Sequence, residues 1–200
     1  MTSNIYNFTR NQKDFSAIPD EAEKVAKYTD LSPKESMRLR LLAEELICMM
    51  PNLVSYGGGK FWIESSGRDY ELHLDVKANI PELIDEEKLL SVSSDGRNAA
   101  AKGIIGKICA AIDEMMRVSN ALPVDQSMNM YGMTAYGDYS DWSLCLYRDM
   151  LTQEYNGERH DEFAEDWDEL EKSIIANIAD DVKVWIRGEK IEITVFKRFK

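Results

Sequence analysis

Two adjacent carboxylates, Glu44 and Glu45, lie in the most apolar part of a well-defined predicted helix. From Leu39 onwards, nearly all positions of that helix are apolar apart from Arg40 and the two glutamates. Such a helix has no broad face for water, so we expect at least one acid to lie at a buried or cleft-lining surface. A carboxylate there costs several kcal/mol of desolvation unless it is paired or used in chemistry. The pair is therefore the first candidate for a catalytic acid or base.

The helix that positions these acids has clear start and stop signals. Ser32 is suited to cap its N-terminus, Pro33 to occupy its first position, and Glu35 to complete an S-x-x-E capping box. Pro51 marks its end. The sequence therefore predicts a helix over about 33–51.

The composition excludes several classes of partner. The chain has 200 residues, is 44% hydrophobic and 30% charged, and carries a net charge of −12. Such an acidic chain repels phosphate backbones and anionic lipid, so neither nucleic acid nor a membrane surface is expected as a partner. No apolar run approaches the roughly 20 residues that span a bilayer. The N-terminal residues also lack the pattern of a signal peptide, so we expect a cytoplasmic protein.

The cysteines and histidines offer little for a metal site. Cys48, Cys109 and Cys145 are widely spaced among apolar residues, so we expect reduced thiols in the core. The histidines are His73 and His160 alone, too few for a His-based triad or zinc site.

Residue periodicity predicts both strands and helices. Alternating residues predict strands at 4–9, 60–65 and 69–76, and a closing hairpin that matches Val182, Val184 and Ile186 with Ile191, Ile193 and Val195. Helical spacing predicts helices at 19–30, 33–51, 99–118, 141–154 and 161–178. Residues 119–140 have no strong period and form the longest predicted loop. We therefore expect an α+β fold: a two-layer α/β sandwich whose mostly antiparallel mixed sheet is covered on one face by helices.

The order of these elements resembles the Bergerat-fold (GHKL) ATPases, and in particular the anti-sigma-factor serine kinases. The resemblance is carried by TDLSPKESMRLRLLAEELI, a Gly-rich break, two strands ending in LHLDV, a glycine-containing helix, and the C-terminal IANIADDVKVWIRGEKIEITVFKRF. It implies one domain over 1–200, with an ATPase-like core at about 4–118 and 170–199 and an elaboration at about 119–169.

The first motif of this family is a glutamate followed four residues later by a magnesium-binding asparagine. Glu45 occupies the glutamate position, which implies a role as general base or water-orienting group. Met49 occupies the asparagine position and offers no oxygen to a hard cation, and Asn52 is out of register. The structural alternative for Glu45 is an ion pair with Arg38 or Arg40, or simple exposure at the helix edge.

The second motif is Asp-x-Gly-x-Gly after a strand. The corresponding run starts at Asp75 and ends at Asn79, and both glycines are missing. The resemblance implies that Asp75 accepts a hydrogen bond from adenine and that Asn79 lies close by. The alternative is that Asp75, which points away from the Leu72 and Leu74 face, is an ordinary exposed residue at a strand end.

The third motif is a glycine-rich turn that opens a helix at the phosphates. Its counterpart implies phosphate-binding roles for Lys102, Gly103, Gly106 and Lys107. Close helix packing accounts for the two glycines equally well, and a solvated helix face accounts for the lysines.

Two functions follow from the resemblance. The first is a regulatory protein with a degenerate ATP site, which binds another protein, binds nucleotide weakly or not at all, and is compatible with a homodimer. The alternative is an active ATP-dependent protein serine/threonine kinase with Glu45 as base. The acidic segment 158–172 is either a solvated helix with a buried stripe at Phe163, Trp167 and Leu170, or a helix that docks a partner.

Overall fold

A seven-stranded sheet forms one layer of the computed structural model, which describes residues 1–9, 14–53, 58–77, 104–121, 133–136, 139–155, 160–187 and 190–200. Its strands are β1 (Tyr6–Phe8), β2 (Gly59–Ser66), β3 (Asp69–Lys77), β4 (Met133–Tyr136), β5 (Tyr139–Ser143), β6 (Asp181–Arg187) and β7 (Lys190–Arg198). Their order across the sheet is β1-β2-β3-β7-β6-β5-β4. All of the pairings between these strands are antiparallel.

Helices form the second layer. They are α1 (Ala17–Tyr28), α2 (Pro33–Leu53), α3 (Ile104–Ala121), α4 (Leu144–Tyr155), α5 (His160–Lys172) and α6 (Ile174–Ile178). The long helix α2 contacts α1, α3, α6 and the central strand β3. Residues from both layers form one apolar cluster. The predicted two-layer α+β sandwich is confirmed.

The two faces of the sheet differ sharply in burial. On β3, Leu72, Leu74 and Val76 are almost completely buried, whereas Glu71 and His73, which alternate with them, are partly exposed on the opposite face. Successive side chains of a strand point to opposite faces, so the apolar set faces the helices and the polar set lies on the other face. None of the described helices covers that second face, which we call the helix-free face.

Both predicted hairpins are confirmed. The β2–β3 hairpin turns at Gly67, which has a φ of 61° in the left-handed region that favours glycine. In the β6–β7 hairpin, Val182 pairs with Val195, Val184 with Ile193 and Ile186 with Ile191, which is the predicted register.

The predicted capping box at the start of α2 is confirmed. The Ser32 backbone N–H donates to Glu35 Oε2 at 2.9 Å, the Ser32 hydroxyl donates to the same oxygen at 2.7 Å, and the Glu35 N–H donates to Ser32 Oγ at 3.4 Å. The hydrogen bonds from Ser32 hold the pKa of the Glu35 carboxyl below its usual value, and the Arg68 guanidinium adds to this effect.

Several sequence expectations are wrong. Residues 133–136 and 139–140 lie in the predicted loop at 119–140, and 141–143 lie in the predicted helix at 141–154. They form β4 and β5 instead, because β5 pairs with β6 and β4 pairs with β5, which extends the sheet there. The predicted helix at 161–178 is broken at Ser173, whose hydroxyl accepts a hydrogen bond from the Ala176 N–H and begins α6. Cys48 and Cys145 are exposed, not core thiols.

No helix among the described residues is long and apolar enough to cross a membrane.

Gly59 on β2 has no room for a side chain. A Cβ there would clash with the Asp75 carbonyl oxygen and the Phe8 ring. We expect Gly59→Ala to lower the free energy of unfolding by about 1–3 kcal/mol, because the backbone neighbour cannot move aside. Gly67→Ala, which meets open space but a left-handed φ, is expected to cost about 1 kcal/mol. Urea unfolding measures both, and a smaller loss at Gly59 than at Gly67 would contradict the close packing.

Candidate functional site

Glu45 lies half-buried in α2, beside the buried residues Ala43 and Leu46. Burial raises the pKa of its carboxyl, and the neighbouring Glu44 carboxylate raises it further. Glu45 forms no hydrogen bond or ion pair with another described residue. A half-buried acid with a raised pKa is the usual state of a general acid or base.

The ion pair suggested for Glu45 is formed by Glu44 instead. Arg40 Nε lies 2.8 Å from Glu44 Oε1, and Arg40 also contacts Glu23 on α1. Hydrogen bonds to these two carboxylates raise the pKa of the Arg40 guanidinium. The spacing of four residues places Arg40 and Glu44 on the same helix face, whereas Glu45 lies on the next face round.

Cys48 follows Glu45 by one helical turn. Although Cys48 is exposed overall, the part of it that is withdrawn from water raises the pKa of its thiol, and the Glu45 and then the Glu44 carboxylates raise it further. A thiol in such surroundings stays protonated, so Cys48 is not an activated nucleophile.

Asp75 lies near the end of β3 on the helix-free face, as expected from the strand pattern, but it is only 8% exposed. Its Oδ2 lies 3.4 Å from Lys60 Nζ on β2 and 3.3 Å from Lys190 Nζ on β7. The pKa of Lys190 is raised mainly by its hydrogen bond to Glu192 and further by Asp75. One carboxylate oxygen is thus shared between two ammonium groups.

The structure does not bring Glu45 and Asp75 together. Glu45 belongs to the helical layer, which packs against the Leu72 and Leu74 face of β3, whereas Asp75 lies on the other face. A single pocket that used Asp75 for adenine and Glu45 for the reacting phosphate needs both groups on one side of the sheet.

The remaining candidate residues divide into two groups. Gly106 and Lys107 lie in the first turn of α3, and Lys107 Nζ contacts Asp166 Oδ1 on α5 at 2.5 Å. Asn79, Lys102 and Gly103 lie outside the described residues, as does the side chain of Met49. In the described part of the site, Lys107 pairs with a carboxylate and joins two helices.

Sequence reasoning missed the residues that surround Asp75. These residues are Lys60 and Lys190, and two stacked rings lie beside them: the Trp62 and His73 ring centres are 4.7 Å apart and their planes differ by 11°. Lys60 Nζ lies 4.5 Å from the centre of the Trp62 ring. His73 Nδ1 lies 3.1 Å from Thr194 Oγ1. The turn at Gly67 implies the pairing of Lys60 with Asp75. No local signal places Lys190 there, because β3 and β7 are far apart in the sequence.

A groove of about 500 Å³ lies between α4, α5 and α6. Its polar lining includes Arg148, Glu171, Asn177 and Asp180, with the Trp167 ring on one side. The Arg148 guanidinium donates to the Ala176 carbonyl oxygen at 2.7 Å and so ties α4 to α6. Among the described residues no group of His, Cys, Asp and Glu has the arrangement of a metal site.

Replacing Glu45 with Gln removes a charge that burial disfavours. The folded pKa lies above the ordinary value, so the folded state binds more protons between these two values and loses stability as pH rises through this window. We expect Glu45→Gln to be more stable than the natural protein at pH 7, with the difference vanishing near pH 4, roughly the ordinary pKa of glutamate.

Urea unfolding at both pH values tests this effect. Glu44→Gln is the matched control: it loses the Arg40 contact but also removes the like charge beside Glu45, so we expect a smaller change than in Glu45→Gln. A loss of stability in Glu45→Gln at pH 7 would mean that the ionised carboxylate has a stabilising partner.

Similarity to known proteins does not indicate a function for this chain. No family model, no curated protein and no solved structure matches this chain.

Proposed function

We propose that this chain is a cytoplasmic regulatory protein that acts by binding another protein and neither turns over ATP nor binds it tightly. The observation that supports this proposal is the state of Asp75. Its carboxylate is shared between Lys60 and Lys190 on the face of the sheet opposite Glu45.

An adenine site built on Asp75 would have to break these contacts. The hydrogen bond to the adenine amino group needs an accessible carboxylate oxygen, but Asp75 is 8% exposed and its Oδ2 already faces two lysines. Removing either contact without replacement leaves the poorly exposed Asp75 carboxylate with less compensation for its charge, which disfavours nucleotide binding there. Weak or absent nucleotide binding follows.

The charge of α5 indicates the chemistry of a protein partner. The helix contains seven acids and one lysine. Its apolar residues Phe163 and Leu170 are buried, while Glu165, Asp168 and Glu171 are exposed. A helix held by one buried stripe with acids on its outer surface suits a partner segment rich in Lys and Arg.

The second candidate is an ATP-dependent protein serine/threonine kinase. The observation that favours it is Glu45, a half-buried carboxyl with a raised pKa. In that function Glu45 takes the proton of the substrate hydroxyl, and ATP occupies the helical side of the sheet without the help of Asp75.

Titration calorimetry with ATP separates these functions. We expect binding that is weak or absent, indifferent to magnesium, and unchanged in Asp75→Asn once circular dichroism has shown that the variant is folded. Binding that requires both magnesium and Asp75 would overturn the proposal, and so would phosphoryl transfer that is lost in Glu45→Gln. Glu44→Gln is the matched control for that second measurement.

Photo-crosslinking in cells tests the role of α5. A photoreactive residue replaces Glu165 on α5 or, as a control, Lys27 on the exposed side of α1. We expect crosslinks to Lys- and Arg-rich peptides from position 165 only, and we expect them to weaken with salt in lysates because exposed charges are screened. Equal crosslinking from both positions would contradict a docking role for α5.

A further inference from the structure

The helix-free face of the sheet is polarised along its strands. At one end, Lys190 on β7 pairs directly with Lys77 on β3 and with Arg187 on β6. Towards the other end, Glu64 on β2 pairs directly with Glu71 on β3, and beyond them Asp69 forms an ion pair with Arg198. Like charges directly opposite each other destabilise a sheet, so both rows require compensation from elsewhere.

Ion pairs among the described residues neutralise only some of the charges in these two rows. Asp75 and Glu192 neutralise Lys190. Lys77 is exposed and, among the described residues, neither Lys77 nor Glu64 forms an ion pair. Glu64 Oε1 accepts a hydrogen bond from the Trp62 indole N–H at 2.9 Å. A cationic row and an anionic row thus face outwards at opposite ends of the same surface.

Between these rows the face is aromatic. Trp62 and Trp185 are partly exposed there, and the partly exposed Phe196 lies beside them, directly opposite Glu71. Lys183 Nζ lies 5.5 Å from the centre of the Phe196 ring. Aromatic residues are enriched at the centres of protein interfaces, where they bury a large area at a small entropic cost.

The charges on this face balance one another, in contrast to the strongly negative net charge of the chain. On β2, β3, β6 and β7 it carries six cations and six carboxylates, while the whole chain has a net charge of −12. Two acidic molecules therefore approach each other with the least repulsion through this surface.

A two-fold axis makes the pattern self-complementary. Glu71 and Lys77 lie three residues on either side of Leu74 on β3. Consider a two-fold axis that lies in the interface, runs perpendicular to the strands and passes over Leu74. It places Glu71 of each copy over Lys77 of the other, so the dimer contains two such contacts. Such an isologous contact closes on itself and does not grow into a filament.

We propose that the helix-free face binds a second copy of this chain to form a closed dimer in which the two sheets pack face to face. Strands spaced about 4.8 Å apart and seven to nine residues long give these four strands a flat area of roughly 500 Å². Side-chain relief and β5 bring the accessible area towards the ~800 Å² per partner of a stable interface. The dimer does not depend on whether nucleotide is bound.

Charge reversal tests the pairing of the two rows. We expect the natural protein to be dimeric at micromolar concentration in sedimentation equilibrium, and Glu71→Lys and Lys77→Glu each to weaken the dimer at least tenfold, because each creates two like-charge contacts. An equal mixture of the two variants restores opposite charges at both contacts, so native mass spectrometry should show the heterodimer.

The controls carry the same charge changes away from this face. Asp149→Lys on α4 and Lys34→Glu on α2 are at exposed positions and should leave the dimer unchanged. Circular dichroism confirms folding, and Glu64→Lys replaces Glu71→Lys if that variant, which also loses a contact with His73, does not fold. A monomeric natural protein, a dimer that survives both reversals, or folded variants that form no heterodimer would overturn the proposal.

Discussion

The pairing of β3 with β7 is the contact on which the rest of the molecule depends. Nine residue pairs join these strands, and the apolar side chains that they direct at the helices, such as Leu74 and Ile193, are fully buried. Without this pairing the sheet separates into a three-stranded piece, β1-β2-β3, and a four-stranded piece, β7-β6-β5-β4, and each exposes a long unpaired edge. β3 and β7 are far apart in the sequence, so bringing them together costs conformational entropy of the chain between them. Burial of apolar surface offsets this cost at about 25 cal/mol per Å².

The same pairing decides which charges meet. It places Lys190 beside Asp75, while the β2–β3 hairpin brings Lys60 to the same oxygen. The pleat of β3 then separates Asp75 from the helical layer that holds Glu45. The two acids that suggest nucleotide chemistry therefore differ in their surroundings: Asp75 is neutralised by cations, whereas Glu45 is half-buried without a described partner and has a raised pKa.

The uneven distribution of charge gives the molecule two different surfaces. α5 collects acids over one buried apolar stripe, while the helix-free face balances cations and carboxylates around aromatic side chains. The first surface suits a basic segment of another protein. The second suits a copy of the chain itself, because its charges are complementary only when one copy is rotated over the other.

Local patterns were enough to predict the α+β class, the capped helix, both hairpins and the buried stripe of α5, because each depends on residues close together in the chain. They did not predict β4 and β5, whose weakly patterned residues become strands only because β5 pairs with β6 and β4 with β5. They named Glu45 and Asp75 as candidates, but not the partners of Asp75. The sequence by itself determined which side chains were available for chemistry and the local elements that carry them. Only the tertiary structure decided that Asp75 meets Lys190 and lies across the sheet from Glu45, because strand pairing between distant segments follows from burial of the whole apolar face and not from any local signal.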